Sequence, residues 1–135
     1  MTNLNFSISE LVKSDTAQKN FIDNSPNLTA LDNMLNLIFF CLQPLRDKLG
    51  KPIIISSGYR CPKLNKLVGG VSNSQHLLGQ AVDFKVSGMT IQQVIEFIRK
   101  SGIEYDQCIN EYNRWVHLSY NKGKNRNKYL PYSQT

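Results

Sequence analysis

The sequence predicts a single α+β domain over residues 1–135, in which a small antiparallel sheet packs against one long helix and a second, shorter helix. Three observations lead to this fold class. Apolar residues recur at spacings of three and four along two segments, as in amphipathic helices. Between and after these segments lie short runs that are β-branched or that alternate apolar and polar residues, as in strands. The chain has 135 residues, of which 41% are hydrophobic, and this is enough for one packed core.

The N-terminal part is predicted to begin with a short helix. Ser7 and Glu10 have the spacing of a capping box, in which a side chain at each end satisfies a free backbone N–H of the first turn. The polar residues 15–26 that follow are typical of turns.

The long helix is predicted from about Thr29, as its N-cap, to Leu49, where Gly50 ends it. Its apolar positions are Leu31, Met34, Leu35, Ile38, Leu42, Leu45 and Leu49. Pro44 interrupts this pattern. Because proline lacks the backbone N–H that an interior helical residue donates, we expect Pro44 to kink the helix or to split off its last turn.

Two strands are predicted in the middle of the chain, on either side of a long loop. Lys51–Ser56 is rich in β-branched residues and predicts a short buried strand. Residues 57–79 read as a loop with one helical turn, and loops of this length in a compact domain are usually functional. Ala81–Val86 alternates, so its apolar residues face the core while Asp83 points to the opposite face.

The C-terminal half is predicted to contain a helix and a hairpin. A capping box at Thr90 begins a helix that ends near Lys100. Residues 106–112 and 115–120 are strand-like and flank a turn. In the second of these strands His117 faces away from the apolar residues, as the aspartate of the preceding strand does.

The register of this hairpin decides where Glu111 points. A three-residue loop, residues 112–114, pairs Glu111 with Trp115 and puts it on the same face as His117. A two-residue loop, residues 113–114, turns Glu111 to the other face. The sequence is compatible with both registers.

Charge and composition limit the kinds of molecule that the protein is expected to bind. The formal net charge is +6, and residues 121–135 are predicted to be a solvated basic tail. A basic surface favours polyanions such as nucleic acid, anionic membranes or an acidic cell-wall polymer. The chain carries no recognised nucleic-acid motif and no apolar run approaching a membrane span. We therefore expect a monomer that binds neither nucleic acid nor membrane.

The N-terminal residues and the cysteines indicate which cellular compartment to expect. Met1–Asn5 lacks the basic and apolar regions of a secretory signal, which predicts a protein that begins in a cytoplasm. The three cysteines are odd in number and form no C-x-x-C pair, so neither a disulfide framework nor a thiolate zinc site is indicated.

A zinc site is indicated by the two histidines of the chain. His76 and Asp83 lie in the motif S-x-H-x-x-G-x-A-x-D, and His117 follows in a later strand. Two imidazoles and one carboxylate, with an open fourth position, are the ligand set of catalytic zinc. Each residue alone is better explained as an ordinary loop, turn or sheet residue. Their combination, with two of them projecting from the non-core side of two predicted strands, favours one zinc ion.

Other side chains are candidates for chemistry beside the metal. Glu111 is the candidate general base, which a hydrolase needs to accept a proton from the attacking water. Arg60 follows the first central strand, where a guanidinium can bind a substrate carboxylate or a developing oxyanion. Tyr59 and Ser74 are candidate pocket residues. The simpler interpretations are a solvent-facing glutamate and a surface arginine.

These motifs resemble a known family. The segments Ser56–Arg60, Ser74–Asp83 and Trp115–His117 are similar to the zinc D-alanyl-D-alanine carboxypeptidases and L-alanyl-D-glutamate endopeptidases, which act on peptidoglycan peptides. The resemblance extends from Phe6 to about Arg126 and is greatest with a small single-domain branch of bacteria and phages.

The resemblance implies an α+β fold whose sheet carries zinc on His76, Asp83 and His117, with Arg60 contacting substrate or oxyanion. One position departs from the wider family, in which a catalytic Glu stands three residues before the last histidine or another His two before it. Arg114 and Trp115 occupy those positions here, and Glu111 stands six residues before His117.

The function that follows is a zinc-dependent peptidase that cleaves stem peptides of bacterial peptidoglycan next to a D-amino acid. It is expected to be either a D-Ala-D-Ala carboxypeptidase or an L-Ala-D-Glu endopeptidase, as a cytoplasmic enzyme or a phage-encoded, endolysin-like protein acting on the cell wall. The alternative is a non-catalytic, zinc-containing cell-wall binding module of the same fold. A nucleic-acid binder, suggested only by the basic pI, ranks third.

Overall fold

The computed structural model describes residues 4–133, with side chains described through residue 131. It is an α+β domain, as predicted. The helices are α1 (Ile8–Val12), α2 (Asp15–Lys19), α3 (Leu28–Leu37), α4 (Gln43–Leu49), α5 (Pro62–Leu67) and α6 (Ile91–Lys100). A π-helical turn (Ile38–Leu42) and a 3₁₀ helix (Gln75–Leu78) add to these. The strands are β1 (Ile53–Ser57), β2 (Ala81–Val86), β3 (Gln107–Glu111), β4 (Trp115–Ser119) and β5 (Lys128–Ser133).

The strands form one sheet in the order β1-β2-β4-β3-β5. The pairs β1–β2, β2–β4 and β4–β3 are antiparallel. The last strand, β5, runs parallel to β3, so the sheet is mixed. The predicted antiparallel sheet is therefore present as β1–β4, with a parallel fifth strand added, and residues 128–133 of the predicted basic tail form that strand. The backbone N–H groups of Asn127 and Lys128 donate to Tyr105 and Asp106, which directs the chain back onto the sheet edge. Residues 134–135 of the predicted tail, like residues 1–3 of the predicted N-terminus, lie outside the described part.

The long helix runs without a break from Leu28 to Leu49. Its N-cap is Asn27, whose side chain accepts from Ala30 N, and not Thr29 as predicted. Pro44 neither splits nor ends the helix. The turn before it is π-helical, with Gln43 N donating to Ile38 O five residues back. The wider turn accommodates the residue that has no N–H to donate, and π-bulges of this kind are a known adjustment within α-helices.

This helix also corrects the expectation that no segment approaches a membrane span. Within residues 4–133, Leu28–Leu49 is the helix long and apolar enough to cross a membrane by length and composition alone. Of its most apolar window, 44% is buried inside the domain. Met34, Leu37 and Leu42 of this helix lie in the core, and core helices of globular proteins satisfy the same criterion.

Several connecting segments are more regular than the sequence predicts. Residues 15–26, predicted as turns, begin with α2. Residues 57–79, predicted as a loop with one helical turn, contain that turn as α5 and also the 3₁₀ helix. The strand predicted as buried, β1, is an edge strand, and the side chain of Ile54 is 56% exposed. Its β-branched composition therefore reflects strand propensity and not burial on both faces.

The core lies between one face of the sheet and the helices. The capping box of α6 is present as predicted, with Thr90 Oγ1 accepting from Gln93 N and Gln93 Oε1 accepting from Thr90 N. The apolar residues of α6 and of the inner sheet face are buried: Ile91, Val94, Ile95, Ile98, Val82, Phe84, Val86, Val116 and Leu118. The opposite face of β2, β3 and β4 is left for polar side chains, and the predicted alternation is confirmed.

Two glycines bring the segments around the site close to the helices. A Cβ atom on Gly58 would lie 2.2 Å from the carbonyl oxygen of Leu11 in α1. A Cβ atom on Gly79 would lie 2.4 Å from the carbonyl oxygen of Ala30 in α3, and Gly79 also has a positive φ of +73°. Both contacts involve backbone, which cannot rotate away, so any side chain at either position requires the segment to move.

Replacing Gly79 with alanine should therefore cost more than replacing a glycine that has the same backbone conformation in open space. Gly102 is that control, with φ +80° and no atom within 4 Å of the position that a Cβ would take. Gly102→Ala should lower the free energy of unfolding by about 1–2 kcal/mol, the cost of the left-handed conformation. Gly79→Ala should lower it further through the clash, as measured by urea denaturation. Equal losses in the two variants would contradict this interpretation.

Candidate metal centre

The pairing of β2 with β4 places two of the three predicted ligands side by side. Asp83 is directly opposite His117 in the antiparallel register. Their side chains lie on the face of the sheet away from the core, and His117 Nδ1 is 3.1 Å from Asp83 Oδ1. Directly opposed residues of antiparallel strands have Cβ atoms about 4.5–5.5 Å apart, so this contact follows from the register.

His76 reaches the same point from the 3₁₀ helix that precedes β2. Its Nδ1 lies 2.7 Å from the carbonyl oxygen of Gly58, which can only accept, so Nδ1 carries the proton. The unprotonated Nε2 then faces Asp83 Oδ1 at 3.3 Å. Ser74 caps the 3₁₀ helix by accepting a hydrogen bond from His76 N. An outer hydrogen bond that fixes the tautomer of a metal-binding histidine is a usual part of such sites.

The donor set fits a zinc ion. One ligand atom from each of His76, Asp83 and His117 lies within 4.8 Å of the others. Two imidazole nitrogens and one carboxylate oxygen are ligands that zinc accepts at about 2.0–2.2 Å, so small side-chain adjustments would bring all three to one centre. These three residues could hold the metal, and their convergence is the arrangement that the sequence predicted.

The protonation states suit metal binding. Burial lowers the pKa of His76 below its ordinary value, although Asp83 opposes this shift, so the imidazole is neutral near pH 7. Burial on its own would raise the pKa of Asp83, but the neighbouring His117 and His76 side chains hold that pKa well below its usual range. The centre therefore presents a neutral imidazole and an ionised carboxylate, which are the forms that bind zinc.

Arg60 is held beside Asp83 by its own set of contacts. Its Nη2 lies 3.9 Å from Asp83 Oδ2, and its Nη1 donates to Asn65 Oδ1 at 2.9 Å. Its Nε is 3.4 Å from Ser57 Oγ. A Cβ atom on Gly70 would lie 2.1 Å from Asn65 Oδ1 and 2.6 Å from Arg60 Nη1, so Gly70 leaves the space that this pair occupies. The guanidinium is thus oriented before any ligand binds.

The hairpin adopts the register that places Glu111 on the side of the metal ligands. Glu111 pairs with Trp115 across a three-residue loop. The buried Asn110 fixes this loop because its side chain donates to Asn113 Oδ1 at 2.7 Å and accepts from Asn113 N at 2.9 Å. Tyr112 and Asn113 both have positive φ, as this tight turn requires.

Glu111 lines the same cleft as the metal ligands. This cleft has a volume of about 830 Å³ and is bordered by Arg60, Ser74, Trp115 and all three ligand residues. Within residues 4–133 the atom Glu111 Oε2 is buried without a hydrogen-bond partner. Burial raises the pKa of Glu111 above its ordinary value, with a smaller lowering by His117 and a smaller rise from Asp83. An unsatisfied, proton-accepting carboxylate beside the centre is suited to general-base chemistry.

The two predicted pocket residues differ in placement. Ser74 lines the cleft, but its hydroxyl accepts from His76 N, so it positions the ligand helix. Tyr59 is 6% exposed and borders a neighbouring cavity instead of the metal cleft. Its carbonyl oxygen accepts from the side chain of Asn24. Of the two, only Ser74 borders the metal cleft, together with Arg60 and Glu111.

Sequence reasoning missed a group of residues that join the ligand helix to the C-terminal segment. Gln75 Nε2 donates to Asp106 Oδ2 at 2.8 Å, and Arg126 Nε donates to Asp106 Oδ1 at 2.8 Å. The hydrogen bonds of Arg126 and Gln75 hold the pKa of Asp106 below its ordinary value, although burial opposes them. These residues are far apart in the chain, and no local motif connects them.

Comparison with known proteins gives two matches. A family model described as Peptidase M15 matches residues 4–119. A zinc D-Ala-D-Ala carboxypeptidase of Streptomyces albus G is 36% identical over 62 residues. That stretch is 45% of this chain and 24% of the relative, so the match spans well under half of the curated protein.

The geometry predicts that the chain binds one zinc ion through the three converging side chains. Asp83→Asn removes the anionic ligand and should weaken zinc binding by more than the ~10–100-fold that loss of an outer-shell partner costs. Asp23→Asn removes the same charge from an exposed position and is the matched control. Competition with a chromophoric chelator measures both affinities, and equal values in the two variants would disprove this ligand set.

Proposed function

The chain belongs to the peptidase M15 family, and we propose that it is a zinc metallopeptidase that hydrolyses peptide bonds of bacterial peptidoglycan stem peptides. The observation that carries the proposal is the convergence of His76, Asp83 and His117 in an open cleft that also contains Glu111 and Arg60. A purely structural zinc site is normally closed by four protein ligands, whereas this cluster offers three.

The metal and the protein side chains have separate tasks. His76, Asp83 and His117 would hold a zinc ion, which would supply Lewis acidity for a peptide carbonyl and for water near neutral pH. Asp83 compensates the charge of the centre, and the Gly58 carbonyl keeps His76 in the tautomer that binds through Nε2. The cleft thereby presents a fixed electrophilic point on one face of the sheet.

Glu111 is the proposed general base. Its carboxylate accepts a proton from the attacking water and returns it to the leaving amine, a role suited to a residue that lines the cleft and has one carboxylate oxygen without a hydrogen-bond partner. Arg60 is the proposed partner for negative charge, either a substrate carboxylate or the developing oxyanion. Its fixed guanidinium loses little entropy on binding, because Asn65 and Ser57 already hold it.

The substrate class is proposed from the family and from charge. The Streptomyces relative is a D-Ala-D-Ala carboxypeptidase, and a bond next to a D-amino acid is the proposed target here. The net charge of +6 suits an acidic wall polymer. We further propose a monomer that acts on the cell wall as an endolysin-like or cytoplasmic enzyme without a nucleic-acid or membrane partner.

Mass spectrometry of defined muropeptides tests the proposal directly. Zinc-loaded protein should shorten a stem peptide by a discrete mass, and a chelator should abolish the change. Muropeptides that bind but stay intact with zinc present would instead indicate a non-catalytic wall-binding module of the same fold.

Removing the proposed base should abolish turnover without releasing zinc. Glu111→Gln should lower kcat/KM by about 10²–10⁴-fold, because the amide cannot accept the proton. Since burial raises the pKa of Glu111, the wild-type kcat/KM should decline as the pH falls through that raised value. Glu104→Gln, at an exposed glutamate, is the matched control. Wild-type turnover in zinc-loaded Glu111→Gln would exclude this residue as the base.

A lysine at position 60 should not replace the arginine. Arg60→Lys keeps the charge but loses the planar fork and its contacts to Asn65 and Ser57, so kcat/KM should decrease at least about tenfold. Arg114→Lys makes the same change at an exposed position of the hairpin loop and should have no effect. Steady-state kinetics on one muropeptide compares the two variants, and an unaffected Arg60→Lys enzyme would refute the assignment.

A further inference from the structure

The geometry points to a substrate that lies across both sides of the metal centre, with its scissile bond inside the peptide and one arm extended along the free edge of β1. This inference rests on the proposed peptidase function and deepens it, because it distinguishes attack on an interior bond from removal of a terminal residue. The observations that lead to it are a second cavity, a free strand edge and the side chains that both cavities share.

The second cavity adjoins the metal cleft. It has a volume of about 880 Å³, close to the 830 Å³ of the first. Arg60, Asp83 and Trp115 border both cavities. The candidate ligand Asp83 therefore borders both cavities, and the centre lies beside the place where they adjoin. A pocket for a terminal residue would instead need to be closed on one side of the centre.

All of β1, from Ile53 to Ser57, lines one side of the second cavity. Within residues 4–133, β1 pairs with β2 alone and forms the end of the sheet. Its outer edge thus presents backbone N–H and C=O groups without a strand partner. Extended peptides bind such edges by adding a strand, in which main-chain hydrogen bonds give affinity for many sequences. A stem peptide of mixed L- and D-residues has few large side chains, so main-chain recognition suits it.

β1 has an irregularity beside the candidate ligand Asp83. The register shifts between Ile55 and Ser57, so that Ser57 and not Ser56 lies opposite Asp83. Ser56 Oγ also contacts the Asp83 carbonyl oxygen at 3.2 Å. Bulges bend a strand and are frequent beside active sites. Ser57, the last residue of β1, is consequently opposite the carboxylate ligand, and the free edge ends there, because Leu11 O accepts from Tyr59 N just beyond it.

Another lining residue of this cavity offers a position where added bulk would block the substrate arm without changing a metal ligand. Val68, at the end of α5, borders the second cavity and is 47% exposed. Leu67 precedes it, is 52% exposed, and borders neither cavity. Val68→Phe adds an aromatic ring inside the second cavity, whereas Leu67→Phe adds the same ring outside it.

The first experiment compares two peptides with zinc-loaded wild-type protein. One is a stem pentapeptide with a free C-terminal carboxylate, and the other is the same peptide extended and blocked at both ends. We expect interior cleavage of the blocked peptide, at a kcat/KM at least equal to that of the free one. Release of a single terminal residue from the free peptide alone would overturn the inference while leaving the peptidase function intact. No cleavage of either peptide would overturn the proposed function and the inference with it.

The second experiment measures binding without turnover. Trp115 is the single tryptophan of the chain and borders both cavities, so its fluorescence should report the blocked peptide in chelator-treated protein. Val68→Phe should raise the Kd at least about fivefold, the lower range for inserting bulk into a packed contact. Leu67→Phe should leave the Kd at the wild-type value. Equal Kd values for the two variants would overturn the assignment of the β1 arm.

Discussion

The pairing of β2 with β4 is the constraint on which the candidate centre depends. It sets Asp83 opposite His117 and turns both side chains to the face that the core does not use. A slip of one residue in this register would send the carboxylate or the imidazole into the apolar core. The buried residues on the other face, Val82, Phe84 and Leu118, therefore stabilise the site indirectly, because their burial makes any other register unfavourable.

The third ligand is positioned by backbone packing. His76 lies on a short 3₁₀ helix that a hydroxyl caps at its start and that ends at Gly79, against the carbonyl of Ala30. The carbonyl of Gly58 orients its ring, and Gly58 itself contacts the backbone of α1. The N-terminal helices thus reach the centre through two glycines. Through these contacts the N-terminal helices fix the position of the His76 imidazole.

Burial and charge at the centre are balanced among a few groups. Asp83 is 8% exposed, yet it stays ionised because two imidazoles and the guanidinium of Arg60 surround it. Glu111 lies further along the same face, where one carboxylate oxygen is unpaired and where burial favours its protonated form. The two carboxylates differ because of their neighbours, which gives one the properties of a ligand and the other those of a base.

Local patterns in the sequence determined the long helix, α6, the central strands and the three candidate ligands, because alternation and capping chemistry act over a few residues. Tertiary structure decided the rest. The hairpin register depended on bonds between Asn110 and Asn113, and the fate of Pro44 depended on a π-helical turn that keeps the buried face of the helix in the core. The fifth strand and the link from Gln75 through Asp106 to Arg126 join residues distant in the chain. Such contacts form only when the whole domain folds, since no short-range preference specifies which distant groups will meet.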